Sequence, residues 1–159
     1  MNKNKPLRVI VDTTYLLPVF GISVEGLSDD DLLRLRELAI EGKVRLFCVS
    51  VVWAELLGKV YREAAKHRVN KEVIRLAIKS LFNPRFYKWI KPGPKSILLA
   101  YKIRSLGHRD NIDNILYATA YTKNMILLSM DISFREFLKE KGYNIECIKS
   151  HNELFTLVS

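Results

Sequence analysis

Short runs of consecutive apolar residues alternate along this chain with longer stretches whose apolar positions recur every three or four residues. The short runs predict strands at Leu7–Val11, Val44–Val49, 125–130 and 143–148, with the proline-bounded aromatic stretch 84–90 as a fifth. The periodic stretches predict helices. Ser28 and Asp31 have capping-box spacing, and Leu32, Leu35, Leu38 and Ala39 follow as a buried stripe. Ser50 caps a helix over 51–66 with Trp53, Leu57, Val60 and Ala64 on its apolar side. Asn70 opens another carrying Val73, Ile74, Ala77, Ile78 and Leu81. Pro94 starts a helix that Gly107 ends, Asp110 caps one that runs to Lys123, and Ser133 opens one that Gly142 closes. Strands separated by helices this long need crossover connections, so the expectation is one α/β domain over 1–159 with a largely parallel sheet.

Composition changes this picture little. Of 159 residues, 48% are hydrophobic and 27% charged, ordinary for a globular protein with a real core. No apolar run approaches the roughly 18–20 residues of a membrane span. The basic start, 1–6, is followed by an apolar run too short for a signal peptide, which predicts a cytoplasmic protein. Cys48 and Cys147 are the two cysteines, far from any zinc or disulfide spacing, and read as small hydrophobes in strands. His67, His108 and His151 show no ligand spacing and are assigned no chemistry.

Charge adds more. The net charge is +9. Between Lys59 and Arg109 stand 14 Lys/Arg and two acids, Glu63 and Glu72, a local excess of +12, while the remainder of the chain carries −3. A basic middle suits a polyanionic partner, since Lys and Arg displace counterions from phosphates, although solvated basic faces without a ligand are common.

The acids occupy special places. Asp12 and Asp131 each follow a strongly apolar strand, at the carboxyl edge where open parallel sheets bind ligands. Glu55 lies one turn into the helix after the second strand. Asp110, Asp113 and Asn114 share one face of their helix with Tyr117 and Tyr121, opposite Ile112, Ile115, Leu116 and Thr119. Carboxylates gathered within a few ångströms repel, and protonation or a bound cation relieves the repulsion. Mg²⁺ and Mn²⁺ take hard oxygen ligands and bind through a few carboxylates plus substrate phosphate. Each acid also has a plainer reading. Asp110 and Asp113 suit a helix N-terminus, Glu55 and Lys59 suit a surface i, i+4 pair, and Asp131 suits a turn before Ser133. Asp12 resists such a reading, because Asp-Thr-Thr after an apolar strand puts a charge where a bare core would not.

Taken in order, these segments resemble the PIN-domain nucleases, in particular the VapC type of toxin–antitoxin systems. Val9-Ile10-Val11-Asp12-Thr13-Thr14 is similar to the family's opening strand, and Ser50-Val51-Val52-Trp53-Ala54-Glu55-Leu56 to its second motif. Asp113-Asn114-Ile115-Leu116-Tyr117-Ala118-Thr119-Ala120 and Leu127-Leu128-Ser129-Met130-Asp131-Ile132-Ser133-Phe134 are similar to the third and fourth. The resemblance covers most of the chain. It implies a Rossmann-like three-layer fold with about five parallel strands, Mg²⁺ or Mn²⁺, cleavage of single-stranded RNA, a homodimer and, for the toxin branch, a small antitoxin protein. By position it implies that Asp12, Glu55, Asp113 and Asp131 form the catalytic, metal-binding cluster. Thr13 and Ser129, with Asn114, would stand behind it. Asp110 is an extra acid with a candidate place at the metal, and 19–31 is longer than the minimal domain needs.

Glu55, Lys59, Arg62 and Lys66 share a helical face, either a stripe that tracks RNA or a solvated surface. Tyr117 is placed to meet a base or to pack. Phe86, Tyr87 and Trp89 among Arg85, Lys88 and Lys91 suit base stacking or an edge strand. The competing functions are a non-catalytic PIN-like module that binds RNA or protein, a housekeeping RNA-processing nuclease, and a phosphatase with Asp12 as nucleophile. The last usually carries a second Asp two residues on, where this chain has Thr14.

Overall fold

The computed structural model describes residues 5–67 and 69–159, with His67 by its backbone alone. Residues 1–4 of the basic start and the His67 side chain lie outside the described residues. Five parallel strands form the sheet: β1 (Leu7–Val11), β2 (Val44–Val49), β3 (Tyr87–Ile90), β4 (Ile126–Leu128) and β5 (Ile148–Lys149), in the order β3-β2-β1-β4-β5. Val9, Ile10 and Val11 of β1 are all buried, as a central strand covered on both faces requires.

Helices α1 (Thr13–Leu16), α2 (Asp29–Ile40), α3 (Val52–His67) and α4 (Lys71–Leu81) precede β3, with a 3-10 turn at Leu17–Phe20. Helices α5 (Pro94–Ser105) and α6 (Asn111–Thr122) connect β3 to β4, α7 (Ile132–Glu140) connects β4 to β5, and α8 (His151–Val158) follows. Because parallel crossovers are right-handed, α2 to α4 cover one face of the sheet and α5 to α7 the other. Strand order reverses direction between β1 and β4, so that pair is the topological switch point, where a crevice opens at the strands' carboxyl ends. Among the described residues no helix is long and apolar enough to cross a membrane.

Several boundaries differ from the sequence expectation, each for a local reason. The 84–90 strand starts only at Tyr87, because Asn83 makes a turn whose side chain accepts the Arg85 N–H and whose carbonyl accepts those of Phe86 and Tyr87. The 143–148 strand shrinks to Ile148–Lys149, since Asn144 Oδ1 takes the Glu146 N–H in a turn. Helix α7 is capped by Asp131 rather than Ser133, with Asp131 Oδ1 accepting the Phe134 N–H at 2.8 Å. The unexpected α8 begins with a capping box, Ser150 with Glu153.

The buried face of α3 is also turned from the expected one. Val52, Leu56 and Val60 enter the core, while Leu57 is 54% exposed. Trp53 instead stacks sideways on Trp89 of β3 and on Phe82, with ring centroids 5.2 and 5.6 Å away. Trp89 Nε1 donates to the Leu81 carbonyl, so the aromatic run around β3 serves as a structural edge. Cys48 is buried in β2 and Cys147 lies just before β5; both are free thiols.

The turned face is testable. Leu56→Ala is expected to lower unfolding stability by about 2–5 kcal/mol, as a cavity at a fully buried leucine does. Leu57→Ala should change it by less than about 0.5 kcal/mol. Denaturant midpoints of the two variants check this, and equal effects would restore the original face.

Candidate active site

Asp12 leaves the end of β1, and its N–H donates to the Leu128 carbonyl at the end of β4, 3.2 Å away. The residue therefore stands at the switch point itself. It is 8% exposed and caps α1, its Oδ1 accepting the Thr14 N–H at 2.9 Å. Burial pushes its carboxyl up to about 6, against the opposing pull of the Ser129 hydroxyl, the Thr14 and Tyr15 N–H groups and the Lys59 ammonium. Two hydroxyls tie the neighbouring elements to this point. Thr13 Oγ1 donates to Glu55 Oε2 at 2.6 Å, joining α1 to α3. Ser129, bonded to Asp12, accepts the Asp131 N–H at 3.2 Å, joining β1 to the segment after β4.

Asp113 lies in the first turn of α6, with its N–H held by Asp110 Oδ1 at 3.2 Å. Its carboxyl is pushed up to about 7, first by burial and then by the negative charges of Asp110, Asp131, Glu55 and Asp12. All four other acids named from the sequence thus act on this one group. Asp131 and Asp110 are exposed at the rims of their helices, each with Oδ1 accepting helix N–H groups. Glu55 pairs with Lys59 one turn on, so the surface-pair reading and the cluster reading hold together. Among the described residues no three of these groups stand close enough to enclose an ion as they are. The reason is local, since Glu55 is drawn to Lys59 and Thr13 while Asp12, Asp110 and Asp131 turn to backbone N–H groups. The donor set is oxygen only, with like charges crowded around Asp113, and it suits a hard divalent cation.

One sequence expectation is corrected here. Tyr117 is fully buried and donates to the Asn144 carbonyl at 2.7 Å, so it does not face a base. Asn114 is fully buried too, and bonds to His108 on both of its amide atoms. A helical wheel groups both with Asp113, but α6 is covered by α5 on one flank and by the sheet on the other, which buries part of the polar face. Lys66 pairs with Glu63 at 3.1 Å, while Arg62 is exposed. His151, assigned no chemistry, is buried and bonds through Nδ1 to the Tyr15 hydroxyl at 3.0 Å. Its distance of 136 residues from Tyr15 leaves no local pattern that could have revealed it.

The raised carboxyls set a pH dependence. Asp12 and Asp113 hold protons more tightly folded than unfolded, so their contribution is fully present below the ordinary value of 3.8 and is lost as pH rises through about 6 to 7. In chelator, the melting temperature is expected to fall between pH 5 and pH 8. Asp113→Asn should flatten that fall and raise the melting temperature at pH 8. A variant with an unchanged profile would show that the carboxyl titrates normally.

No protein-family model matches this sequence, and no curated protein matches it. Solved structures do. A chain of the VapBC2 complex of Rickettsia felis, bound to a DNA fragment from its promoter, superposes with a TM-score of 0.58 at 16% identity, covering 82% of this chain and 93% of that one. PAE2754 of Pyrobaculum aerophilum gives 0.59 at 16% identity over 99% and 93%. VapC20 of Mycobacterium tuberculosis, a Sarcin-Ricin loop cleaving toxin, gives 0.51 at 13% identity over 86% and 96%. The likeness is one of fold: the chain has the five-stranded parallel α/β architecture of the PIN-domain VapC structures.

Proposed function

We propose that this chain is a metal-dependent endoribonuclease that hydrolyses phosphodiester bonds of single-stranded RNA, and that it is the toxin of a toxin–antitoxin pair. The observation that carries the reading is the convergence of Asp12, Glu55, Asp110 and Asp131 on the Asp113 carboxyl at the sheet's switch point. Like charges collected there are at rest only with protons or a cation. Asp12, Glu55, Asp113 and Asp131 would hold Mg²⁺ or Mn²⁺, with Asp110 as a fifth donor at the rim. Such an ion, when bound, supplies positive charge for the phosphate and acidity for a bound water.

The chain's own residues do the rest. Thr13 aims Glu55, and Ser129 fixes Asp12 relative to the Asp131 backbone. Lys59, paired with Glu55, stands where a substrate phosphate can exchange for the carboxylate. Arg62 and Lys66 continue the basic face of α3 and suit a bound strand's backbone. The toxin reading draws support from the fold shared with chains of VapBC complexes and with a loop-cleaving toxin, and it implies a small antitoxin partner and a homodimer. A non-catalytic binding module is the second reading. It is favoured by Lys59 closing on Glu55 and by the lack of a ready three-ligand group among the described residues.

Incubation with single-stranded RNA and Mn²⁺ decides between them. Cleavage is expected, and Asp12→Asn should reduce it about 100-fold or more, the scale of losing one electrostatic group at a reacting phosphate. Absence of cleavage with every divalent cation would leave the binding module.

Neutralising Lys59, Arg62 and Lys66 together should lower the salt slope of RNA binding by about 2, at roughly 0.7 per phosphate contact. An unchanged slope removes α3 from the RNA path. A neighbouring gene for a short acidic protein would separate the toxin from a housekeeping nuclease.

A further inference from the structure

The start of α6 is held by a closed set of bonds that the carboxylate cluster does not itself require. Asn114, fully buried, donates through Nδ2 to the His108 carbonyl at 3.0 Å and meets His108 Nδ1 through Oδ1 at 2.8 Å. A backbone carbonyl can only accept, which fixes the orientation of the amide and makes Nδ1 of His108 the proton donor. The imidazole then lies against the rings of Phe134 and Phe137, with centroids 4.4 and 5.2 Å away. Phe134 is buried in α7, and its backbone N–H is the one that holds Asp131 Oδ1. On the α6 side, Asp110 lies between His108 and Asn114 and holds the Asp113 N–H.

We propose that His108 is a positioning residue that locks the helix start bearing Asp113 to the helix start bearing Asp131, and thereby sets the spacing of the two carboxylates for a divalent ion. This rests on the metal-site reading above. The two acids come from separate connections, one before β4 and one after it. The Ser129 N–H on the Lys149 carbonyl ties the α7 start to the strand ends, whereas the α6 start follows another helix, not a strand. His108 joins the two: its ring Nδ1 and its backbone carbonyl bind Asn114 of α6, and its ring packs against Phe134 and Phe137 of α7. Groups that hold a metal ligand in place from behind alter metal affinity about 10–100-fold when removed.

His108→Phe keeps the ring against Phe134 and removes the hydrogen bond; His108→Asn keeps a donor at the Nδ1 position and removes the ring. His108→Phe with Asn114→Leu removes both polar partners, which avoids a buried unpaired amide and keeps a folded protein to measure. Mn²⁺ affinity read by electron paramagnetic resonance is expected to weaken about 10–100-fold in His108→Phe and in the double variant, which lose the tie to α6, and also in His108→Asn, which loses the ring against α7. Amide hydrogen exchange at Asp113 and Phe134, measured without metal, should quicken in the first two. Unchanged exchange and unchanged Mn²⁺ affinity in the folded double variant would overturn the proposal. The metal reading fails separately, if Asp113→Asn leaves the wild-type affinity for Mn²⁺ untouched; exchange at the two amides then judges the clasp alone.

Discussion

Mutual repulsion among carboxylates at one end of the sheet is the constraint around which the molecule is arranged. Asp12 is buried and Asp113 half-buried, and Asp110, Asp131 and Glu55 add to the field that Asp113 feels. What offsets it is largely backbone. Asp12, Asp110 and Asp131 are the N-caps of α1, α6 and α7, so three helix starts turn their unpaired N–H groups and positive dipole ends toward the same region. Short hydroxyl side chains, Thr13 and Ser129, bridge the gaps between them, and Lys59 adds a full positive charge. A sheet whose order reverses between β1 and β4 is what permits helices from both faces to begin at one place.

The charge layout follows the same logic on a larger scale. An acidic centre repels phosphate, so a polyanion approaches only where basic groups outweigh it. Much of the excess of Lys and Arg between Lys59 and Arg109 falls on α3, α4 and α5, with Lys88 on β3. Lys59, paired with Glu55, is where the basic stretch meets the acids. A long-range field of this kind steers a charged ligand toward one side of the crevice before any contact forms.

Much of the fold was legible because it is locally determined. The limits of β1 and β2, the Ser28–Asp31 capping box and the Asp110 cap follow from runs, periods and cap residues that act over four to six positions. The position of Asp12 at a strand end was legible for the same reason. What was not legible depends on neighbours distant in sequence. Leu57 and Val52 compete for the buried side of α3, and the choice is made by Trp89 and Phe82 drawing Trp53 aside. Asn114 and Tyr117 look like surface residues on a wheel, yet both are core, since a wheel separates two faces without saying how many are covered. Asp131 and Ser133 are equally good cap formers, and burial of Phe134 decides for the former. The Ser150–Glu153 box was readable, but its helix is only eight residues long and follows a strand that proved to be mostly turn.

The pairing of β1 has a temporal consequence. Its neighbours are β2, about forty residues on, and β4, which is complete only at Leu128; Tyr15 beside it bonds to His151. A chain is made from its N-terminus, so Asp12 emerges well before Leu128, Ser129 and His151 and waits for them. Contacts of such long sequence separation also form slowly. A product that stops before Asp113 carries Asp12 and at most Glu55, so whatever chemistry the completed centre performs is withheld until the chain has been made through Asp131.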